Sequence, residues 1–323
     1  MTGVAVVGTD HPHVVELTQQ LVAAGGSLRA VVATDEGIGP WLASQYPDAR
    51  GDDPYADDID VVVTAAIPSE RATIALDAMH AGKDVVADKP GVTTRQQLDD
   101  VRRVQEDRNR RWLVVFAERL GVPSMRRAEA LVGDGRIGHV VHTVGLGPHR
   151  LNLEHRPPWF FDSGRYGGIL VDIGTHQVDQ FLAFTGAPSA DVVSASVRAH
   201  ADHPGVEVIG EMLLRAPDSR TGYARVDYFT PKGLGAWGDV RLSVVGTSGT
   251  MEVRPLENTV TVVDEERIER VEAASEPITW AAEFLAGGMP VSQAHVYAVH
   301  DAVLQAAAIA QGAQGTSTTR PTA

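Results

Sequence analysis

Three residues able to move a proton stand far apart in this chain. Lys89 lies in the triplet "DKP" (Asp88, Lys89, Pro90), directly after a short β-branched run. Ligands in open α/β sheets bind outside the C-terminal ends of the strands, and a proline stiffens the turn that aims the ammonium. On these three residues alone, a surface lysine in a turn is the favoured reading. Asp172 and His176 occur in "GGILVDIGTHQVDQFL", residues 167–182. Four positions apart, they share one face if the stretch is helical, and Asp179 follows on nearly the same face. An imidazole titrates near neutrality and suits general base work. A carboxylate and an ammonium beside it would complete a proton-transfer set. The alternative is an amphipathic helix with a capping aspartate and a histidine satisfied by its neighbours.

A second candidate region opens the chain. "VAVVGTDHPHVVEL" (4–17) runs from an apolar strand through Gly8 into a helical pattern. That is the place for a G-x-G-x-x-G fingerprint, whose glycines let a pyrophosphate approach a helix N-terminus. Here the second glycine position holds Asp10 and the third holds His13. A carboxylate there would face the pyrophosphate charge unless it is turned away. That repulsion is expected to be screened, turned outward or avoided by a shifted loop, or else Asp10 caps the helix, with Pro12 near its first turn, leaving His11 or His13 to meet phosphate. Asp10, His11 and His13 also have a spacing that could suit a metal, but no further ligand is evident, and no metal is expected. "HRPPWFFD" (155–162) offers Arg156, Trp159 and Asp162 as either a substrate loop or an aromatic anchor.

The elements that must position these groups fall into two patterns. In the first third, apolar β-branched runs at 3–8, 28–34, 60–65, 83–87 and 112–117 alternate with helical stretches near 12–24, 39–46, 69–81 and 93–108. Continuous apolar strands between helices predict a parallel sheet covered on both faces, a doubly wound Rossmann domain over 1–118. After that the rhythm changes. A helix near 123–133 precedes strand-like runs at 138–147, 191–200, 207–215, 221–229, 239–246, 250–254 and 259–263, with one strong helix over 168–185. Alternation such as "YARVDY" predicts a largely antiparallel sheet with one covered face, in an α+β domain over 119–323. An alanine-rich helix near 293–311 and a polar tail, "GTSTTRPTA", expected to fray, close the chain.

The bulk composition excludes several classes. There is no cysteine among the 323 residues, which rules out thiolate nucleophiles, disulfides and cysteine-ligated metals and fits a cytoplasmic protein. A formal charge of -14 makes nucleic acid and anionic membrane poor partners. No signal peptide or membrane-spanning run is visible. The acidic run from Asp52 to Asp60 reads as a solvated loop.

Four motifs in order resemble the Gfo/Idh/MocA family, the relatives of glucose–fructose oxidoreductase and inositol dehydrogenase. "DVVADKPGVTT" is similar to the family's E-K-P segment, and "GRIGHV" (135–140) to the start of its second domain. "GGILVDIGTHQVD" is similar to its D-x-x-x-H helix, and "VVGTSGTMEV" (244–253) to its late hairpin. The resemblance implies NAD or NADP and hydride transfer at a hydroxyl or keto carbon of a sugar, polyol or sugar derivative. It implies a catalytic set of Lys89, Asp172 and His176, the last taking the hydroxyl proton, in one site. The implied cofactor contacts are Gly8, Thr9, Asp10, His11, Asp35, Pro68, Asp88 and Lys89, and the substrate contacts are Arg156, Trp159, Asp172 and His176. Asp35, after the second strand, would bind ribose hydroxyls and favour NAD. Asp88 stands for the family's glutamate, and Ile169 for the third glycine of a triple. A homodimer or homotetramer is expected, because the second sheet has too few helices to cover both faces. Two alternatives remain. One is a member using the fold for elimination or hydrolysis; the other is a non-catalytic sugar sensor, for which the retained lysine, aspartate and histidine would have no purpose.

Overall fold

The computed structural model describes residues 1–49, 52–273 and 275–316; residues 317–323 of the polar tail lie outside the described residues. The chain divides into two compact units. The first takes Met1–Val115 together with Gly164–Gly167 and Thr279–Tyr297. Its strands are β1 (Gly3–Val7), β2 (Ser27–Val32), β3 (Val61–Thr64), β4 (Asp84–Asp88) and β5 (Trp112–Val115). They form a five-stranded sheet in the order β2-β1-β3-β4-β5, every pair parallel. "VVVT" and "WLVV" are buried along their whole length. That follows from helices on both faces and explains why these strands do not alternate in sequence.

The helices within Met1–Val115 are α1 (His13–Ala23), α2 (Ile38–Gln45), α3 (Arg71–His80) and α4 (Arg95–Arg108). The helix α4 is punctuated locally. The Thr94 hydroxyl accepts from the Gln97 amide at 3.2 Å at its start, and Asn109 takes a left-handed conformation at its end. Pro68 opens a single 3₁₀ turn, Pro68–Glu70, that leads from β3 into α3.

The second unit takes Phe116–Ser163, Gly168–Ile278 and the chain from Ala298. It begins with α5 (Ala117–Leu120) and α6 (Pro123–Gly133), followed by β6 (Val140–Pro148). After the short α7 (Ser163–Tyr166), which from Gly164 on belongs to the first unit, come α8 (Ile169–Asp172) and α9 (Gly174–Thr185), and then seven strands. These are β7 (Asp191–Ala199), β8 (Glu207–Arg215), β9 (Thr221–Asp227), β10 (Arg241–Gly246), β11 (Gly249–Arg254), β12 (Thr259–Asp264) and β13 (Ile268–Glu272). The eight-stranded sheet has the order β13-β12-β11-β10-β6-β9-β8-β7. Its one parallel pair is β6 with β9. Helices α6 and α9 pack on one face, where Met125, Ala128 and Leu131 meet Leu242, Val244, Met251, Val253, Val260 and Val262 in a closed core. On the other face a row of partners, Ser243, Val144, Tyr223 and Leu213, is only partly buried. Of the remaining helices, α10 (Trp280–Leu285) belongs to the first unit, and α11 (Gln293–Thr316) belongs to the first unit up to Tyr297 and to the second from Ala298.

Two expectations need correction. The single helix expected over 168–185 is two, α8 and α9, interrupted at Ile173. Its cause is local: the Thr175 hydroxyl bonds back to the Val171 carbonyl, and the His176 amide donates to Ile173 at 3.0 Å, three residues back, so the turn is tightened. Asp172 thus ends one helix while His176 lies in the first turn of the next. Asp10 does not cap α1 either. Pro12 occupies the cap position, no side chain caps the helix, and the Asp10 carboxylate accepts from the Thr34 hydroxyl instead.

Candidate active site

In the first unit the groups singled out from the sequence gather at the C-terminal ends of β1 to β4, the rim on which open α/β sheets bind their ligands. Gly8 ends β1 with φ of 80°, and a Cβ there would lie 2.4 Å from that of Ala66, so the close passage of two strand ends requires glycine. Thr9 and Thr34 then lock the first two strand ends together. The Thr9 amide donates to the Thr34 hydroxyl at 2.9 Å, and the Thr34 amide to the Thr9 hydroxyl at 3.2 Å. The Thr9 hydroxyl donates in turn to Asp35. Asp35 also accepts from the amides of Gly37 at 2.6 Å, Ile38, and Gly39 at 3.1 Å, where α2 begins. Partial burial works against its charge, but these hydrogen bonds outweigh it and hold the carboxyl below the usual range.

The DKP turn is organised from beneath by a residue the sequence did not single out. Arg71, at the start of α3, is completely buried. Its Nη1 donates to the carbonyls of Asp88 (3.1 Å), Lys89 (2.5 Å) and Pro90 (3.1 Å), and its Nε to that of Ala66 (2.7 Å). Its Nη2 lies 3.0 Å from the Asp88 carboxylate. No local pattern marks Arg71, because all of its partners but one are seventeen or more residues away. The Lys89–Pro90 peptide is cis, and Lys89 itself is 5% exposed.

Above Asp88 stand both histidines of "GTDHPH". His13 Nδ1 is 2.9 Å from Asp88 Oδ1, His11 Nδ1 is 3.6 Å from Oδ2, and the two rings meet edge to face with centroids 4.1 Å apart. Burial would raise the Asp88 pKa, yet the nearby His13 and Arg71 charges and the His13 hydrogen bond carry it well below the usual carboxylate range. Burial, with His13 beside it, pushes His11 well below an ordinary imidazole. Sequence reasoning placed His11 near the cofactor mouth. It did not foresee that the shortened Asp88 is met by a histidine at the third glycine position.

In the second unit Gly168 precedes α8 with φ of 79°, and the Ile169 amide donates to the Glu207 carboxylate at 2.7 Å. Burial raises the Glu207 pKa against that hydrogen bond. Ile169, standing where the family has glycine, is fully buried, and Gly210 of β8 makes room for it. Asp172 is partly buried, with the Tyr228 hydroxyl 3.4 Å from Oδ2. His176 is 3% exposed. Asp179 is committed elsewhere. It takes Nε and Nη2 of the buried Arg119 at 2.7 and 2.8 Å, while Glu129 takes Nη1 at 3.0 Å. Beside His176 in sequence, Gln177 and Gln180 both donate to Glu118 at 3.1 Å.

Arg156 is embedded among aromatic rings, 4.1 Å over Phe160, 5.2 Å over Trp237 and 5.4 Å over Tyr228. Its Nε and Nη2 donate to the carbonyls of Leu151 and Arg150 at 2.8 and 3.1 Å. Trp159 is partly buried in the 3₁₀ turn Pro158–Phe161, edge-on to Phe160. Tyr228 therefore ties the Arg156 stack to Asp172, a link with no sequence signal beyond an aromatic residue at the end of a strand.

The model for the GFO/IDH/MocA C-terminal domain matches residues 125–252. The structure of a candidate oxidoreductase from Erwinia carotovora atroseptica SCRI1043 is 36% identical, superposes with a TM-score of 0.91, and covers 96% of this chain and 99% of that one. Inositol 2-dehydrogenase 2 of Saccharopolyspora erythraea is 27% identical over 78% of this chain and 72% of its own length. A levoglucosan dehydrogenase solved with NADH and levoglucosan shares the fold, with a TM-score of 0.81 at 19% identity over 95% of this chain and 97% of that one. The chain spans 40% of the length of the two Schizosaccharomyces pombe oxidoreductases it matches.

Proposed function

The chain belongs to the GFO/IDH/MocA family, and on that premise we propose that it is an NAD(P)-dependent oxidoreductase acting on a hydroxyl or keto carbon of a sugar, polyol or sugar derivative. The observation that carries the reading is the DKP turn. A lysine is fixed at the end of a parallel strand by a buried arginine that holds three successive carbonyls. Such investment in one turn is what a group that must be aimed requires. The fold suits a nicotinamide dinucleotide, with a parallel sheet whose strand ends carry Gly8, Pro68, Asp88 and Lys89. Relatives with sugar or polyol names, among them the inositol and levoglucosan dehydrogenases, support the substrate class.

The bound nicotinamide supplies the hydride acceptor or donor. The Lys89 ammonium stabilises the alkoxide that develops at the substrate oxygen. His176 accepts the hydroxyl proton, and Asp172 holds a neighbouring hydroxyl and favours the charged imidazole. Arg156, with its donors engaged by carbonyls, shapes a wall with Trp159 and Trp237 on which a sugar face can stack. The open face of the eight-stranded sheet makes a homodimer or homotetramer. The test is turnover of a panel of polyols and sugars with NAD and NADP, followed through the reduced nicotinamide. Wild type should turn over at least one member, and Lys89→Met none. A wild type inert toward the panel that nevertheless binds the reduced cofactor would favour non-redox use of the fold.

A further inference from the structure

In the sequence, Asp10, His11 and His13 lack a further ligand for a metal, and in the structure Asp10 is engaged with the Thr34 hydroxyl. The fold brings in another carboxylate. Asp88 ends β4, seventy-five residues beyond His13, while His11 lies in the loop after β1 and His13 opens α1. Ligand atoms of His11, His13 and Asp88 all lie within 4.8 Å of one another. Among the described residues no other group of three histidines or carboxylates gathers its ligand atoms in this way.

The distances suit one ion. Zinc sits about 2.0–2.1 Å from imidazole nitrogen and carboxylate oxygen, so two ligands of one ion stand roughly 3.0–3.5 Å apart. Here His13 Nδ1 is 2.9 Å from Asp88 Oδ1, and His11 Nδ1 is 3.6 Å from Oδ2. The first contact is also that of a hydrogen bond; the second is not. His11 Nδ1 accepts from the His13 amide at 3.3 Å, so this nitrogen presents a lone pair rather than a proton. It faces a buried carboxylate oxygen that accepts no hydrogen bond. Two acceptors at this separation repel each other, and a cation between them turns the repulsion into attraction.

One cation already touches this carboxylate: Arg71 Nη2 is 3.0 Å from Oδ2. It does not take the place of an ion. A carboxylate has about four lone-pair positions, and a carboxylate on a metal is itself commonly held by an outer partner that orients it. Arg71, bonded to three carbonyls of the DKP turn, fixes Asp88 in that manner. Exposure gives the cluster a floor and an opening. The Asp88 side chain is 2% exposed, that of His11 21% and that of His13 39%, so an ion enters past the histidines. Two imidazole nitrogens and one carboxylate oxygen suit a borderline divalent transition ion, whereas Mg²⁺ prefers oxygen alone.

We propose that His11, His13 and Asp88 bind a divalent transition-metal ion of the Zn²⁺ class beside the C-terminal ends of β1 and β4. Three protein ligands leave a coordination position open, which a water or a substrate oxygen completes. The more exposed His13 ring closes the set by a small turn about its side chain. The inference goes beyond the oxidoreductase reading and does not depend on a bound nicotinamide.

Titration of the chelator-treated full chain with Zn²⁺ against a chromophoric competitor tests this. Wild type should bind one tight equivalent, and Mg²⁺ should not displace it. His11→Gln and His13→Gln should each weaken binding by at least about a hundredfold, the upper end of what losing an outer partner costs a metal site. Both side chains are partly exposed, so both variants should keep the circular dichroism of wild type. Co²⁺ in place of Zn²⁺ should give visible d–d absorption that either substitution abolishes, a signature that a loss of stability alone does not produce. The control is the other histidine pair, His200 and His203, whose rings lie 5.1 Å apart in the second unit. A His200→Gln, His203→Gln double variant should retain the tight equivalent. No tight equivalent on wild type would overturn the inference. So would one that survives His11→Gln and His13→Gln, or one that is lost with His200 and His203.

Discussion

Arg71 carries more of the DKP turn than any residue within it. Removing a buried guanidinium leaves carbonyls and the Asp88 carboxylate without their partner, at a cost of about 3–5 kcal/mol. Arg71→Met should lose that much stability in urea unfolding, and a loss under about 1 kcal/mol would show that the turn is held by other contacts. Asp88 makes a pH prediction whose sign is fixed. Its folded pKa is depressed, so the stability it contributes is fully present above its unfolded value of about 3.9 and disappears as pH falls below that. Asp88→Asn should be less stable than wild type at pH 7, and the gap should shrink toward pH 3. At the proposed catalytic residues, His176→Ala should lower kcat by about 10²–10⁴-fold, the range for a positioned base. Lys89→Met should be at least as damaging. A His176→Ala enzyme with unchanged kcat would remove the histidine from the mechanism.

The junction of α8 with β8 can be tested as a pair of elements. A Cβ on Gly210 would stand 2.8 Å from Ile169 Cγ2 and from Leu170 Cδ2, closer than such atoms ever sit. Gly210→Ala should cost about 1–3 kcal/mol by overpacking, and Ile169→Ala about 2–5 kcal/mol by leaving a cavity. The double variant should cost less than the sum, since each change relieves the other; simple additivity in a thermal-denaturation cycle would show that they do not share the space.

The elements themselves were largely legible. Most Rossmann strands declare themselves as apolar β-branched runs, and several strands of the second sheet as alternation. The strand β13 was missed, because "IERVE" is short and sits at the sheet edge with its charged residues exposed or half-buried, which leaves little apolar signal. The break at Ile173 was also missed, because it depends on a threonine hydroxyl bonding back to the preceding turn rather than on a proline. At the site, residue types and order were readable, but the network was not. The partners Arg71, Tyr228 and Glu207 lie far along the chain from Asp88, Asp172 and Ile169, and no window of local sequence joins them.

At the scale of the whole molecule, the uncovered sheet face drives the expectation of assembly. Val144, Tyr223 and Leu213 are paired side by side across β6, β9 and β8 on the face that the helices leave open. Leu213→Glu should shift wild-type oligomers toward a 34.4 kDa species in light scattering. A wild type that is already monomeric at micromolar concentration would contradict the proposed assembly. The chain's charge of -14 adds a second constraint. For an acidic protein to hold the proposed dinucleotide, positive charge must be concentrated at the mouth, and Arg71 and Lys89 stand at that rim. The most direct measurement of the central claim is therefore the binding of NADH to the purified chain at pH 6.5. The account predicts saturable binding with one site per chain, weakened in Lys89→Met. No binding of NADH, NAD, NADPH or NADP would contradict it.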